Sequence, residues 1–205
     1  MIPFVKDPCE DPVTTSSSQS ERPLRSDARR NRERILSGAR AVFAECGSDA
    51  QMDDVARRAG VGVGTVYRHY PTKEALLVEL VREKFRIFTA EARDALERDG
   101  EPFEVLAELM RSNAEALARD AGTQQVLAGA GEHIWTQAAA AQTELLELTS
   151  QLIDRARRAG TIRADATATD IGMLMCGVSA TMAHSAPGFD WRRHLDLVVD
   201  MLRPR

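Results

Sequence analysis

The side chains best suited to chemistry with another molecule lie close together between residues 65 and 73. They are Thr65, Tyr67, Arg68, His69, Tyr70 and Lys73. The first two hydroxyls can donate hydrogen bonds to phosphates or base edges, and the last three side chains suit phosphates. Arg68 carries the guanidinium that most often recognises guanine in the major groove. The pattern predicts contact with DNA; the alternative is that Tyr67 and Tyr70 pack beneath a helix.

Two short helices are predicted to position these side chains. Val55, Ala56 and Ala59 recur about one helical turn apart and give the first helix an apolar stripe. Gly60 is expected to end that helix, because glycine adopts the left-handed conformation most readily. A second helix over residues 63–69 then carries the polar run. Two short helices joined by a glycine-containing turn are typical of a helix-turn-helix, whose second helix enters the DNA major groove.

Basic side chains are concentrated around these two helices. Residues 21–73 hold 11 Lys and Arg against 7 Asp and Glu, a net charge of +4. Residues 74–205 hold 15 against 21, a net charge of −6. Such a local excess suits a phosphate backbone, although the whole chain carries −4. Arg25, Arg29 and Arg30 are expected to reach phosphates or a minor groove, unless they form only a solvated charged surface.

At these residues the sequence resembles the DNA-binding domain of the tetracycline-repressor (TetR) family of bacterial regulators. The resemblance is carried by Val55-Ala56-Arg57-Arg58-Ala59-Gly60-Val61 and by Thr65-Val66-Tyr67-Arg68-His69-Tyr70-Pro71-Thr72-Lys73-Glu74-Ala75-Leu76-Leu77. It covers residues 27–85, beyond which the chain is similar only in helical layout and in a phrase between Arg155 and Asp170. The resemblance implies DNA contacts from Thr65, Tyr67, His69 and Lys73.

The sequence departs from that family at two positions near the second helix. Gly62 stands where a helix-capping Ser is usual, and Gln51 stands where Thr is usual. Val63 and Gly64 offer no side-chain hydrogen bond. Base recognition is therefore expected to depend on Arg68 and on apolar contact between Val63 and a thymine methyl group. The predicted DNA-binding residues thus also include Arg29, Gln51, Gly62, Val63 and Gly64.

The sequence predicts an all-α protein of about nine helices in two domains. Residues 1–24, rich in Ser and Pro, are expected to be disordered. Residues 25–71 are expected to form a three-helix helix-turn-helix domain, and residues 72–205 a C-terminal ligand-binding and dimerisation domain. Ser26 and Thr72 are the predicted N-caps of the first and fourth helices.

The resemblance implies a small-molecule cavity among the fourth to eighth helices. An effector bound there would change the spacing of two recognition helices in a dimer. The candidate lining residues are Phe85, Phe88, Met110, Asn113, His133, Trp135, Met173 and Cys176. The alternative is that these side chains are ordinary core. Asn113 follows Met110 by three positions on an inward face, which predicts a polar group offered to a ligand.

The eighth helix, predicted over residues 169–185, is apolar on all sides. A domain of this size can cover one face, and a partner subunit is the simplest cover for the other. The predicted homodimer interface comprises Ile171, Leu174, Val178, Met182, Leu195, Val198 and Leu202. A two-fold dimer predicts a near-palindromic double-stranded DNA operator.

No motif indicates catalysis, a metal site or a cofactor. No histidine stands in H-E-x-x-H, no cysteine pair has zinc-finger spacing, and G-x-S-x-G does not occur. No apolar run approaches the ~20 residues of a membrane span. Three scattered cysteines favour reduced thiols in a cytoplasm.

The sequence therefore favours a ligand-responsive, homodimeric repressor of transcription. One alternative is a ligand-independent DNA-binding regulator or activator, which shares every motif. The other is a helical small-molecule-binding enzyme, which would need a reactive constellation that the sequence does not show.

Overall fold

The computed structural model describes residues 21–182 and 188–204, and within these ranges the fold is all-α. The helices are α1 (Glu21–Cys46), α2 (Met52–Ala59), α3 (Val63–His69), α4 (Lys73–Glu97), α5 (Pro102–Arg119), α6 (Ala121–Ala128), α7 (Glu132–Arg158), α8 (Ala168–Met182) and α9 (Trp191–Met201), with a short 3-10 turn at Gly47–Asp49. The prediction of about nine helices is confirmed, and no strand occurs in the described ranges. None of these helices combines the length and apolar character needed to cross a lipid bilayer.

Helix α1 begins earlier than the sequence predicted. We expected Ser26 to cap a helix that starts at Asp27, whereas the helix runs from Glu21 and includes Ser26. Arg and Glu residues are good helix formers, so they extend the helix toward the N-terminus. Residues 1–20 of the predicted tail lie outside the described residues, as do residues 183–185 of the predicted eighth helix.

Side-chain caps fix the starts of α4 and α5. Thr72 Oγ1 accepts a hydrogen bond from the Ala75 N–H at 3.1 Å, which confirms the predicted cap of α4. The Glu101 carboxylate accepts from the N–H groups of Phe103 and Glu104 at 3.0 and 2.9 Å. These bonds satisfy N–H groups that have no partner within the first turn of a helix.

Two clusters of buried apolar side chains hold the helices together. The first cluster joins α1, α2, α3 and the first half of α4 to Leu127 of α6 and to Ile134 and Ala138 of α7. The second cluster joins the second half of α4 to α5, α7, α8 and α9. Leu145 of α7 packs against both clusters. Helices α4 and α7 therefore run through both cores, and the predicted domain boundary at residue 71 stays a prediction.

Two glycines allow other helices to approach α1 closely. A Cβ added at Gly38 of α1 would lie 2.9 Å from the Ala59 N of α2. A Cβ added at Gly122 of α6 would lie 2.3 Å from the Ala44 Cα of α1. Both separations are well below the ~3.5–4.0 Å of ordinary carbon contacts. The absent side chains therefore set how closely α2 and α6 pack on α1.

Candidate functional site

The turn between α2 and α3 is formed by Gly60 and tied to α1. Gly60 adopts the left-handed conformation, with φ 62° and ψ 41°, and its N–H donates to Ala56 O and Arg57 O. The Val61 N–H also donates to Ala56 O, at 3.1 Å. Arg34 of α1 donates from Nη2 to Gly60 O at 2.6 Å. The predicted glycine stop is confirmed, and these bonds set the direction in which α3 leaves the turn.

Helix α3 buries one face and exposes the opposite one. Val66 is fully buried, whereas the side chains of Val63 and Tyr67 are 41% and 45% exposed. Gly64 and Arg68 are exposed as well. Because residues four apart lie on one side of a helix, Val63, Gly64, Tyr67 and Arg68 form one continuous surface. We call these four residues the α3 recognition face; the alternative that Tyr67 packs beneath the helix does not occur.

Arg68 is the basic side chain that the α3 recognition face leaves available. Its guanidinium forms no ion pair or hydrogen bond with any described residue. The two arginines of α2 differ, since Arg57 pairs with Asp54 at 2.9 Å and Arg58 pairs with Glu45. All of the Arg68 donors can therefore meet an external acceptor, and two of them are spaced for bidentate contact with guanine.

The other predicted DNA-contact residues lie around this face. Thr65 and His69 are half-buried on α3, and Gly62 caps the helix without a side chain. Gln51 is exposed and donates from Nε2 to Asp49 O at 2.8 Å. Arg29 is exposed on α1, where its Nε lies 3.7 Å from Glu33 Oε1.

Tyr70 belongs to the core, not to the exposed surface. It is 6% exposed, and its hydroxyl has no hydrogen-bond partner among the described residues. Burial raises the pKa of this phenol, and the nearby Glu79 carboxylate raises it further. The predicted phosphate contact is therefore corrected, because a buried hydroxyl cannot reach a phosphate outside the protein.

Lys73 is also bonded within the protein. Its Nζ donates to Ser48 O at 2.5 Å and to Ala50 O at 2.9 Å, and it lies 5.7 Å from the centre of the Phe43 ring. Two of three ammonium donors are thus occupied. In this arrangement Lys73 joins the start of α4 to the chain preceding α2, and the predicted phosphate contact, for which one donor is left, stays a prediction.

The predicted cavity residues do not share one environment. Phe85, Phe88 and Met110 are buried on α4 and α5. Asn113 Oδ1 is buried without a hydrogen-bond partner in the described part of the chain, as the prediction of an inward polar group requires. These four residues lie on the inner side of their helices.

The four other predicted cavity residues are exposed on α7 and α8. They are His133, Trp135, Met173 and Cys176. Met173 instead lines an open surface pocket of about 360 Å³, together with Leu174, Met201 and Leu202. Position 173 falls on the outer side of α8 because positions 171 and 178 face inward.

Sequence reasoning missed Lys84, a residue of α4 whose ammonium group contacts side chains of α6 and α7. Its Nζ is 3.3 Å from Gln124 Oε1, 4.9 Å from the centre of the Trp135 ring and 5.5 Å from that of Phe85. Lys84 follows Leu80 by four positions and precedes Phe88 by four, so it interrupts the apolar stripe of α4. A cation inside an apolar stripe was the signal available in the sequence.

Most predicted dimer-contact residues pack inside the protomer. Ile171, Val178, Leu195, Val198 and Leu202 are all buried, and Leu174 and Met182 are half-buried. The first five residues therefore leave almost no surface for a partner. The large apolar residues exposed on the same two helices are Met173, Leu197 and Met201, with 61%, 47% and 58% of their surface exposed.

No group of three or more His, Cys, Asp or Glu side chains within residues 21–182 and 188–204 is placed to hold a metal ion.

Two family models match this chain. Residues 35–80 match bacterial regulatory proteins of the tetR family, and residues 101–204 match the C-terminal domain of SbtR-like transcriptional regulators.

Several known proteins are similar to this chain. The HTH-type transcriptional repressor KstR of Mycolicibacterium smegmatis is 36% identical over 110 residues, which cover 53% of this chain and 54% of the relative. KstR of Rhodococcus jostii is 30% identical over 146 residues, which cover 70% of this chain and 68% of the relative. The crystal structure of a TetR transcription regulatory protein from Mycobacterium vanbaalenii shares 38% identity and a TM-score of 0.65, covering 88% of this chain and 99% of that one.

Proposed function

Because this chain belongs to the TetR family of bacterial regulatory proteins, we propose that it represses transcription by binding an operator as a homodimer until an effector binds. It is a DNA-binding transcriptional regulator. The proposal adds the sign of regulation, the dimer, the operator symmetry and the response to a ligand. Acting on chromosomal DNA also implies a place in the bacterial cytoplasm, and no catalytic step is part of the proposal.

The observation that carries the proposal is the α3 recognition face. A helix seven residues long presents an unpaired arginine, a tyrosine hydroxyl and a valine side chain on one exposed surface. Arg68 would recognise guanine, Val63 would contact a thymine methyl group, and Tyr67 would bond a phosphate or a base edge. The basic excess of residues 21–73 would attract the phosphate backbone around them.

The proposed dimer uses the exposed apolar side chains of α8 and α9. Met173, Leu197 and Met201 remain uncovered in the protomer, and a two-fold partner would bury them against their own copies. Two recognition helices related by that axis would read half-sites about 34–36 Å apart, or a multiple of this distance. Sedimentation of a Met201→Glu variant tests the surface: the expected result is a monomer at micromolar concentration, and a stable dimer would contradict it.

Helix α4 supports the proposed response to an effector. It packs in both apolar clusters, its first residue is bonded to the chain ahead of α2, and Phe85 and Phe88 lie further along it. An effector that binds the DNA-incompetent dimer more tightly would shift the population toward that state. A coupling of ~1–3 kcal/mol would weaken operator binding roughly 5- to 150-fold.

Both KstR relatives named above are transcriptional repressors, which favours repression. A ligand-independent regulator or an activator would share the α3 recognition face. These alternatives are separated by the expression of the target gene in a deletion strain: repression predicts a rise, and activation predicts a fall.

The DNA-binding proposal is tested first by selecting sequences from a random double-stranded DNA pool with the wild-type protein. Enrichment of a near-palindrome is expected, and enrichment of no sequence would contradict operator binding. Arg68→Ala should then weaken binding to the selected duplex by about 1–3 kcal/mol and relax the preference at one base position.

The matched control is Arg158→Ala, at an exposed arginine near the end of α7, far along the chain from the recognition face. It should bind the selected duplex as the wild type does. Unchanged affinity and unchanged sequence preference in Arg68→Ala would refute the assignment of Arg68 to a base.

A further inference from the structure

The ammonium group of Lys84 lies among protein side chains from three helices. Gln124 Oε1 of α6 is 3.3 Å from Nζ, and the Trp135 ring of α7 lies 4.9 Å from it. The Phe85 ring of α4 itself is 5.5 Å away. These contacts are a neutral amide and two aromatic faces, so they stabilise a cation without neutralising it.

No carboxylate in the described part of the chain forms an ion pair with Lys84. Asp120 acts on it only through space, and Asp120 Oδ2 is already 3.6 Å from Arg40 Nε. Burial accordingly lowers the pKa of Lys84 to about 8. Lys84 is half-buried, and a partly desolvated ammonium without a counter-ion is unusual, because desolvation of a charge is normally offset by an opposite charge.

Other polar groups on the neighbouring helices are also unsatisfied. Thr123 is almost fully buried beside Gln124, and its Oγ1 interacts with the Asp120 carboxylate but has no partner within ordinary hydrogen-bond geometry in the described part of the chain. Asn113 Oδ1 on α5 likewise has no hydrogen-bond partner among the described residues. Buried polar groups are usually bonded, and each exception calls for an explanation, of which a partner supplied by water, an ion or a ligand is one. Phe85 and Phe88 provide buried apolar surface on the helix that carries Lys84.

We propose that Lys84 is the recognition point for the anionic group of the effector, which would be a small organic acid with an apolar body. This inference rests on the proposed ligand response and specifies its chemistry. The acid group pairs with the Lys84 ammonium and accepts a hydrogen bond from the Gln124 side-chain amide, while the apolar body packs on the aromatic side chains. A carboxylate at this position supplies the charge that the protein itself lacks.

Helix α6 connects this position to the DNA-binding region. Gln124 contacts Lys84, and two residues earlier Gly122 lies directly against Ala44 of α1. An acid that replaces Gln124 Oε1 as the partner of Lys84, and accepts instead from the Gln124 amide, would therefore shift a helix whose Gly122 lies directly against Ala44 of α1. The ligand would then bind the DNA-competent and DNA-incompetent arrangements with different affinities, which is what a shift of population between them requires.

The test uses pairs of probes that differ only in charge: octanoate and octanol, decanoate and decanol, phenylbutyrate and phenylbutanol. Their affinities are measured by isothermal titration calorimetry with the full-length wild type and with Lys84→Met, Lys84→Arg and Arg82→Met. Arg82 is the matched control, because it is an exposed cation two residues away whose Nη2 donates to Gln137 O at 3.0 Å.

We expect the wild type to prefer at least one acid over its alcohol. Lys84→Met should bind that acid roughly 10- to 100-fold more weakly while its affinity for the alcohol stays the same. Lys84→Arg should retain most of the preference, and Arg82→Met should retain all of it. If Lys84→Met does not fold, Lys84→Gln serves the same purpose.

Three results would overturn the proposal: equal affinity for acid and alcohol, no binding of any acid, or unchanged acid affinity without the Lys84 charge. Binding of the selected DNA duplex is measured in the same preparations. If DNA binding persists while acid binding fails, only the identity of the effector is refuted. If the wild type binds no specific DNA, the proposed function fails independently of Lys84.

Discussion

Replacing Gly122 by alanine tests whether α6 is held against α1 by the absence of a side chain. The new Cβ would lie 2.3 Å from Ala44 Cα and 3.0 Å from Ala44 N. Because these atoms belong to the backbone of α1, no rotamer change can relieve the contact. The two helices must separate by more than ~1 Å to restore an ordinary carbon contact.

The expected magnitude is the difference between two opposing effects. Overpacking of a close contact destabilises by about 1–3 kcal/mol. Alanine is favoured over glycine inside a helix by roughly 0.5–1 kcal/mol, which offsets part of this loss. Gly122→Ala should therefore lower the free energy of unfolding by roughly 0–2.5 kcal/mol, with a central value of about 1 kcal/mol.

The assay is urea unfolding followed by circular dichroism, with Gly64→Ala as the matched control. Gly64 lies in α3, and a Cβ there would meet no heavy atom within 4 Å. That variant should be as stable as the wild type or more stable by a few tenths of a kcal/mol up to ~1 kcal/mol. Equal unfolding midpoints for Gly122→Ala and Gly64→Ala would refute the close contact between α6 and α1.

Two other substitutions give results of opposite sign. Burial lowers the pKa of Lys84 from 10.5 to about 8. The unfolded chain therefore binds this proton more tightly than the folded protein does, and the stability of the wild type should rise as the pH increases from about 8 to 10.5. Below pH 8, Lys84→Met should be more stable than the wild type by up to about 3 kcal/mol. Urea unfolding should show a smaller difference in stability between the two proteins at pH 10 than at pH 7. A larger difference at pH 10 would contradict this reasoning. Lys73→Met loses hydrogen bonds to Ser48 O and Ala50 O and should lower the free energy of unfolding by about 1–3 kcal/mol. Unchanged stability together with a DNA-binding salt slope reduced by about one unit would instead support the predicted phosphate contact of Lys73 over its bonds within the protein.

Local sequence patterns predicted the helix-turn-helix well because its geometry depends on neighbours in the chain. The left-handed Gly60 and the inward Val66 define where α2 ends and which side of α3 is buried. The resulting helix, Val63–His69, has the predicted bounds. The cap of α4 by Thr72 could be predicted for the same reason, since its partner is three residues away.

Contacts between distant parts of the chain were beyond the reach of such patterns. The spacing that presents Lys73 to a phosphate also lets it bond Ser48 and Ala50, and only the tertiary fold decides between them. Helix α8 posed a similar problem, because it carries two apolar stripes. The sequence does not state which stripe packs inward, and the structure buries Val178 while leaving Met173 exposed.

The two apolar clusters limit how this protein can be recombined with its relatives. Helix α4 supplies Leu76, Leu80 and Phe85 to the first cluster, and α6 and α7 add Leu127 and Ile134 from far along the sequence. In a chimaera joined in the loop before α4, helices α1 to α3 would come from one protein and the α4, α6 and α7 side chains that complete their core would come from the other. Operator specificity is therefore better exchanged between family members by substituting exposed residues of α3, because the buried core then stays intact. Transferring the first 71 residues as a block would disrupt that core.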